Sequence, residues 1–165
     1  MASTARGSIV FGYKVDGDKE LIKVMRSLSK DFQQQALVAA VSEGAKIIEA
    51  EAKARAPVAT GGLRDNIIHE VLLKKPKNVE VGVSWRVAGG ASRNAAYYGV
   101  MVEKGTKPRA NKTWRKKTLA TPKSTGTMPA QPFLGPAWDA KRDAADRKIK
   151  DELSDMIRKK VKRNG

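Results

Sequence analysis

The chain has 165 residues, enough for a single domain, residues 1–165, with a sizeable core. It has no cysteine and a single histidine, which excludes disulfides, thiolate metal sites and cysteine nucleophiles and leaves His69 alone for imidazole chemistry. The formal net charge of +16 is concentrated late: residues 1–103 hold 15 basic and 11 acidic side chains, residues 104–165 hold 18 and 6, which favours acidic proteins or nucleic acid as partners. The first residues, Met-Ala-Ser-Thr-Ala-Arg-Gly, lack the apolar run of a signal peptide, and no stretch reaches the roughly 18 apolar residues of a membrane span. The expectation is a soluble protein made in a cytoplasm, with no membrane contact.

Ile9, Phe11, Tyr13 and Val15 alternate with Val10, Gly12 and Lys14, the period-two pattern of a half-buried strand. Asp16-Gly17-Asp18 turns the chain, and Asp18 caps a predicted helix through Leu21, Ile22, Met25 and Leu28. From about Lys30 to Arg55 the spacing of Val38, Val41, Ala45, Ile48 and Ala52 predicts a long amphipathic helix with a narrow, alanine-rich face, ended by Pro57. Thr60-Gly61-Gly62 makes a turn, followed by one helical turn over Leu63 to Asn66. Ile67 to Lys74 and Val79 to Val87 form an antiparallel hairpin, with Val79, Val81, Val83, Trp85 and Val87 on one face. Gly89 to Asn94 is a loop. Periodicity leaves Tyr97 to Lys104 open between helix and strand.

Lys104 to Lys123 contains eight Lys or Arg and no Asp or Glu, and composition predicts a long exposed basic loop over residues 107–128. Three prolines at 129, 132 and 136 then fix an extended arm over residues 129–138 that carries Phe133, Leu134 and Trp138. Such a strip anchors the following helix or a partner surface. The last helix runs from about Ala137 to Lys162, with Ala145, Ile149, Leu153, Met156 and Ile157 on one face. The run Arg158 to Arg163 places cations at its C-terminus. The whole is α+β: a small antiparallel sheet packed by two long helices, with a long basic loop.

Little of this suggests catalysis. His69 has no second histidine or carboxylate cluster in sequence to complete a site, and Thr60-Gly61-Gly62 lacks the Gly-Lys-Ser/Thr ending of a phosphate loop. Glu43, Glu49 and Glu51 fit a solvated helix face. No cofactor or metal set is present, so an enzyme is not expected. In the basic loop, Lys107, Arg109, Lys112, Arg115, Lys116, Lys117 and Lys123 surround Trp114. Cations with an aromatic suit either a nucleic-acid backbone or an acidic partner, and no helix-turn-helix, RNA-recognition or zinc-finger signature accompanies them.

Three strings, in order, resemble one family. They are Ala54-Arg-Ala-Pro-Val-Ala-Thr-Gly-Gly-Leu-Arg-Asp-Asn-Ile67, then Tyr97 through Val102-Glu103-Lys104-Gly105-Thr106, then Pro129-Ala-Gln-Pro-Phe-Leu134 with Pro136-Ala137. Together they resemble the tail-component, or neck and tail-completion, proteins of long-tailed bacteriophages. The chain departs from that pattern at Ala59, at Lys104 and at Gly135, where the family usually has Asp, an aromatic or apolar residue, and Arg.

The resemblance implies a non-enzymatic virion protein, assembled in the host cytoplasm and located at the head–tail junction. It would form a homohexameric ring around the DNA passage and join the head-closure or connector protein to the tail terminator or tail tube. A tail-terminator ring is the alternative within the family, and a small basic DNA-binding protein the alternative outside it. Tyr97, Tyr98, Glu103, Phe133, Leu134 and Trp138 become expected subunit or partner contacts. Replacing Phe133 and Leu134 with Ser is then expected to leave a soluble but ring-defective protein.

Overall fold

The computed structural model describes residues 3–5, 8–13, 23, 26–59, 61–75, 78–85, 93–108, 110–114, 117–124 and 126–164. A four-stranded antiparallel sheet contains β1 (Ser3–Ala5), β2 (Ser8–Tyr13), β3 (Ile67–Lys75) and β4 (Asn78–Trp85), in the order β1-β2-β4-β3. Two long helices, α1 (Lys30–Arg55) and α4 (Leu134–Asn164), complete the main layer structure. The short helices α2 (Gly62–Asp65) and α3 (Arg93–Lys104) and a two-stranded unit, β5 (Ala110–Trp114) with β6 (Lys117–Ser124), fill the connections. The α+β architecture expected from periodicity is therefore present.

Helix α1 has the bounds that its end signals dictate. The Ser29 hydroxyl accepts from the Phe32 N–H at 3.4 Å, Asp31 sits in the first turn and Lys53 and Arg55 in the last, and Pro57 follows the final backbone bond from the Ala56 N–H to the Ala52 carbonyl. Its buried stripe, Ala36, Leu37, Ala40, Val41, Gly44, Ala45, Ile48 and Ala52, is broader than the sequence reading, because α1 packs on two things at once. One flank meets β3 and β4, and the other meets α4.

The β3–β4 hairpin also holds. Ile67 pairs with Trp85, His69 with Val83 and Val71 with Val81, and Val79, Val81, Val83 and Trp85 are all buried. Residues Ile67, His69 and Val71 therefore share the helix-covered face, because directly opposed residues lie on one side of a sheet. A register shift between Val71 and Leu73 leaves Leu72 as an extra residue on the edge strand. The strand predicted at the N-terminus is β2, which pairs with β4 through Ile9–Val83 and Phe11–Val81. Sequence reading missed β1, and the predicted residues Leu21, Ile22, Met25 and Val87 lie outside the described set.

Two expectations change. The segment 107–128 is not a plain loop: β5 and β6 zip from Ala110–Ser124 to Trp114–Lys117, and a Thr106–Met128 bridge closes the base. Threonines and Trp114 supply strand propensity that overall composition concealed. The proline arm also ends earlier than expected, since α4 begins at Leu134 and Pro136 occupies its first turn. A missing N–H costs nothing there.

Close backbone approach fixes the packing at two glycines. A Cβ at Gly44 would lie 2.5 Å from Ile149 Cγ1 of α4, and one at Gly99 would lie 2.4 Å from the Trp85 ring. The Trp85 indole is rigid and buried, and Ile149 is buried and β-branched, so the contact at Gly44 eases only by a shift of α4. Gly99→Ala should therefore destabilise the protein by about 2 kcal/mol through overpacking. Gly44→Ala should cost less, about 1 kcal/mol, because its clash is with an aliphatic side chain that a small shift of α4 relieves, while the helix-propensity gain applies at both positions. Urea midpoints of the two variants check that order.

Candidate assembly interface

The two glycine-bearing strings singled out in the sequence, residues 97–106 and 129–137, lie against each other. The Val102 carbonyl accepts from the Gln131 N–H at 2.7 Å, the Met128 carbonyl from the Thr106 N–H at 2.9 Å, and the Thr106 hydroxyl from the Met128 N–H at 3.0 Å. Gly105, with φ of +70°, makes the reversal possible, since a Cβ there would meet Ala130 N at 2.8 Å as well as strain the backbone.

At the centre of this junction stands Glu103. Its Oε2 accepts from the N–H groups of Phe133 at 2.8 Å and Leu134 at 3.2 Å, and its Oε1 from that of Gly135 at 3.3 Å. The next residue, Pro136, has no N–H, and the Ala137 N–H already bonds the Phe133 carbonyl at 3.2 Å. Every donor that a helix N-terminus normally leaves without a partner is thus satisfied by one carboxylate from another helix, or is absent. A carboxylate at this end also meets the positive end of the α4 dipole. Gly135, where the resembled pattern has Arg, leaves only ordinary contact space: a Cβ there would lie 3.8 Å from Glu103 Oε1.

The expected contact residues divide sharply. Phe133 and Leu134 are 0% and 2% exposed, with the Phe133 ring centroid 5.8 Å from that of Trp85, so their side chains leave no surface for a neighbour. The expectation that serine at both positions would yield a folded, ring-defective protein is corrected accordingly. Each buried ring or isobutyl group contributes about 1.5–3 kcal/mol, so the double substitution acts first on the stability of the fold. Trp138 is half-buried against the same core. Glu103 acts within the chain as the cap. Tyr98 is 54% exposed on α3, Val100 is exposed on the other side of the buried Gly99, and Tyr97 lies on the same helix.

Among the basic candidates, Lys107 is exposed ahead of β5, Lys112 and Trp114 lie on β5, and Lys117 and Lys123 lie on β6. Trp114 faces Lys117 across the ladder and Asn111 faces Lys123. Arg109, Arg115 and Lys116 lie outside the described residues. The strands gather onto one hairpin what the sequence spread over a loop.

Besides the single exposed valines Val58 and Val161, apolar exposure among the described residues sits at two places. Val71 and Leu72 are 42% and 50% exposed on edge strand β3, and Tyr98 and Val100 are exposed on α3, which is held to the Trp85 end of the sheet through Gly99. Trp85 pairs with Ile67, and five residues of strand separate Ile67 from Leu72, about 17 Å. The patches are distinct. Sequence reading missed the first because Leu72 falls inside an apolar strand whose bulge no periodicity marks.

Elsewhere the polar groups are structural. His69 Nδ1 lies 2.5 Å from Glu49 Oε2, and Lys53 Nζ 2.6 Å from Glu49 Oε1, so Glu49 is not on a solvated face as expected but bridges α1 to β3. Glu51 pairs with Arg55 and with Lys141 of α4. Among the described residues no group of three or more His, Asp or Glu could hold a metal ion, and no helix is long and apolar enough to cross a membrane.

A family model described as "Bacteriophage HK97-gp10, putative tail-component" matches residues 19–105. The match spans α1, the β3–β4 hairpin and α3 up to the Gly105 reversal, and it stops before the basic hairpin and the proline arm. No curated protein and no solved structure matches the chain.

Glu103→Ala should destabilise the protein by about 2 kcal/mol, because three helix donors lose a charged acceptor, with Glu103→Gln falling between it and the native chain. Thermal melts of the three proteins check the order. For Glu49, burial acts most strongly and would raise the carboxyl, but hydrogen bonds from His69 and Lys53 and their charges together hold it below the ordinary carboxylate value. A carboxyl lowered on folding adds stability that is full above its unfolded pKa and lost as pH falls through its folded one. Glu49→Gln should therefore cost about 1 kcal/mol at neutral pH, and the difference should vanish below the carboxylate range when urea midpoints are followed against pH.

Proposed function

We propose that this chain, which belongs to the HK97-gp10-like family of bacteriophage tail components, is the subunit of a neck or tail-completion ring that surrounds the DNA passage and joins the head connector to the tail. The observation that carries the reading is apolar exposure at two separate places, Val71–Leu72 midway along edge strand β3, and Tyr98 and Val100 to either side of Gly99 on α3 at the Trp85 end of the sheet. One chain with two unlike patches joins copies head to tail. Such a heterologous contact closes into a ring when its rotation divides a full turn. Edge strand β3 adds unpaired backbone groups along which a neighbour can align.

The role is structural. Apart from the His69–Glu49 pair, which is tied to Lys53, the described residues bring together no base with a nucleophile or metal set. The basic hairpin fits an arm that reaches an acidic surface on the adjoining protein layer, because its cations carry no interleaved acids. The virion is then where the protein acts, at the head–tail junction, with a head-closure protein on one side and a tail-terminator or tail-tube protein on the other.

Leu72→Lys combined with Tyr98→Lys should leave the melting temperature nearly unchanged, because both positions are exposed. It should raise the concentration needed for assembly by at least about tenfold. Native mass spectrometry and negative-stain microscopy read the rings, and plaque complementation reads tailed particles. Rings and infectious particles at native yield from this variant would overturn the proposal.

A further inference from the structure

The fold assembles a second basic surface that the sequence holds in three separate places. Helices α1 and α4 run antiparallel: Glu51 pairs with Lys141, Gly44 lies against Ile149, and Lys160 Nζ stands 5.6 Å from the Phe32 ring centroid. The start of α1 and the end of α4 therefore share one end of the molecule. The Gln34 side chain donates to the Lys74 carbonyl at 2.9 Å, which brings the end of β3 to the same place. Residues 30–34 form little more than one turn of α1, about 6 Å long, and touch both neighbours.

At this end Lys30 from α1, Lys74 and Lys75 from β3, and Arg158, Lys159 and Lys162 from α4 are all exposed. None of them is in an ion pair among the described residues. The acids at this end are the exposed Asp31 and Asp155, Glu152, whose carboxylate Lys159 helps to keep charged, and Glu80 opposite Leu73. The opposite end is built differently. There Asp139, Asp143 and Asp146 alternate with Arg142 and Arg147, and Arg55, Arg64 and Arg142 are each beside a carboxylate. The molecule is polarised along its helix pair, with an excess of positive charge at one end.

We infer that this end, formed by the α1 start, the β3 end and the last turns of α4, is a docking surface for the phosphate backbone of duplex DNA. Long flexible cations drawn from several elements neutralise phosphates and release their counterions without reading bases. A protein partner of ordinary kind would call for an aromatic or apolar centre ringed by polar groups. The surface has instead many separate ammonium and guanidinium groups around one exposed Val161. The inference stands apart from the ring reading, because it concerns the free subunit as well as any assembly, and it uses none of the hairpin cations.

The test is binding of a short fluorescent DNA duplex to the full chain, followed by anisotropy from about 50 to 200 mM salt. The native protein should bind with a steep salt slope. The variant Lys74→Gln, Lys75→Gln, Arg158→Gln, Lys162→Gln should lose about three to four units of that slope, near 0.9 for each phosphate contact removed. A variant with the same loss of charge at paired sites, Lys46→Gln, Arg55→Gln, Arg64→Gln, Arg142→Gln, should lose less than about one unit. Circular dichroism confirms that both remain folded. Absence of binding by the native chain overturns the proposal, and so does an equal loss of slope in the two variants. Polyglutamate that displaces the duplex at equal charge concentration overturns it in favour of an acidic protein partner.

Discussion

The architecture depends on one carboxylate in an unusual place. Helix α4 is the longest element of the chain, and its first turn has no capping side chain of its own: Phe133, Leu134, Gly135 and Pro136 offer no Ser, Thr, Asp or Asn. Glu103 arrives instead from α3, about thirty residues earlier, and takes the three available N–H groups while proline removes the fourth. That arrangement couples helix formation to tertiary folding. Helix α4 can start properly only when α3 is seated, and α3 is seated only when Gly99 lies flat on Trp85. The Phe133–Trp85 contact then closes a circuit through strand, helix, cap and aromatic core. Each of these contacts is modest alone. Because each positions the next, loss of one weakens the rest beyond its own share.

The helix pair follows a different logic. An Ala- and Gly-rich seam on α1 lets α4 approach closely, so that Gly44 meets Ile149 and Ala145 instead of holding a side chain between them. Small residues bury less area each, but they bring the neighbouring backbone near and gather many dispersion contacts. Ion pairs line this seam without carrying it. Glu51 accepts from Arg55, which is the main reason its carboxyl lies below the ordinary value, with Lys141 of α4 adding to the effect, and Lys148 and Glu152 stabilise each other's charged forms within α4. These groups are solvent-exposed, where pairs of this kind contribute little to stability. Their effect is on register, since Glu51 can reach Lys141 in only one antiparallel alignment.

Much of this was legible in the residues. The span of α1 follows from its apolar spacing and Pro57, the β3–β4 hairpin from alternation, and the inward face of β4 from its valines, because each depends on local chemistry. What could not be read depends on distance in sequence. Tyr97 to Lys104 is compatible with helix or strand until Trp85 requires Gly99 on one side and the α4 terminus requires Glu103 on the other. Composition hid the β5–β6 hairpin, because a lysine-rich ladder has no apolar alternation to betray it. Phe133 and Leu134 were correctly seen as an anchor, but whether an anchor holds its own chain or a neighbour is decided by burial, and burial is a property of the packed whole. Leu72 escaped notice for the converse reason: a bulge turns an ordinary strand leucine outward.

Charge shows the same division between sequence and fold. Along the chain, basic residues gather after Lys104, which makes the C-terminal third look like one cationic tail. In the folded molecule that tail is divided. The hairpin takes one share, and α4 carries the other back along α1 until its last turns meet Lys30, Lys74 and Lys75, residues whose sequence neighbours give them no special emphasis. The apolar patches, by contrast, lie at the bulge of β3 and on the outer side of α3. A chain whose exposed apolar groups lie mainly on its edge strand and α3, and whose cations without an ion pair among the described residues gather at one end of its helices, keeps the two kinds of contact largely apart. In the proposed ring, neighbouring copies would bury the first while the second stays in water, where ammonium and guanidinium groups retain their hydration until a polyanion displaces it.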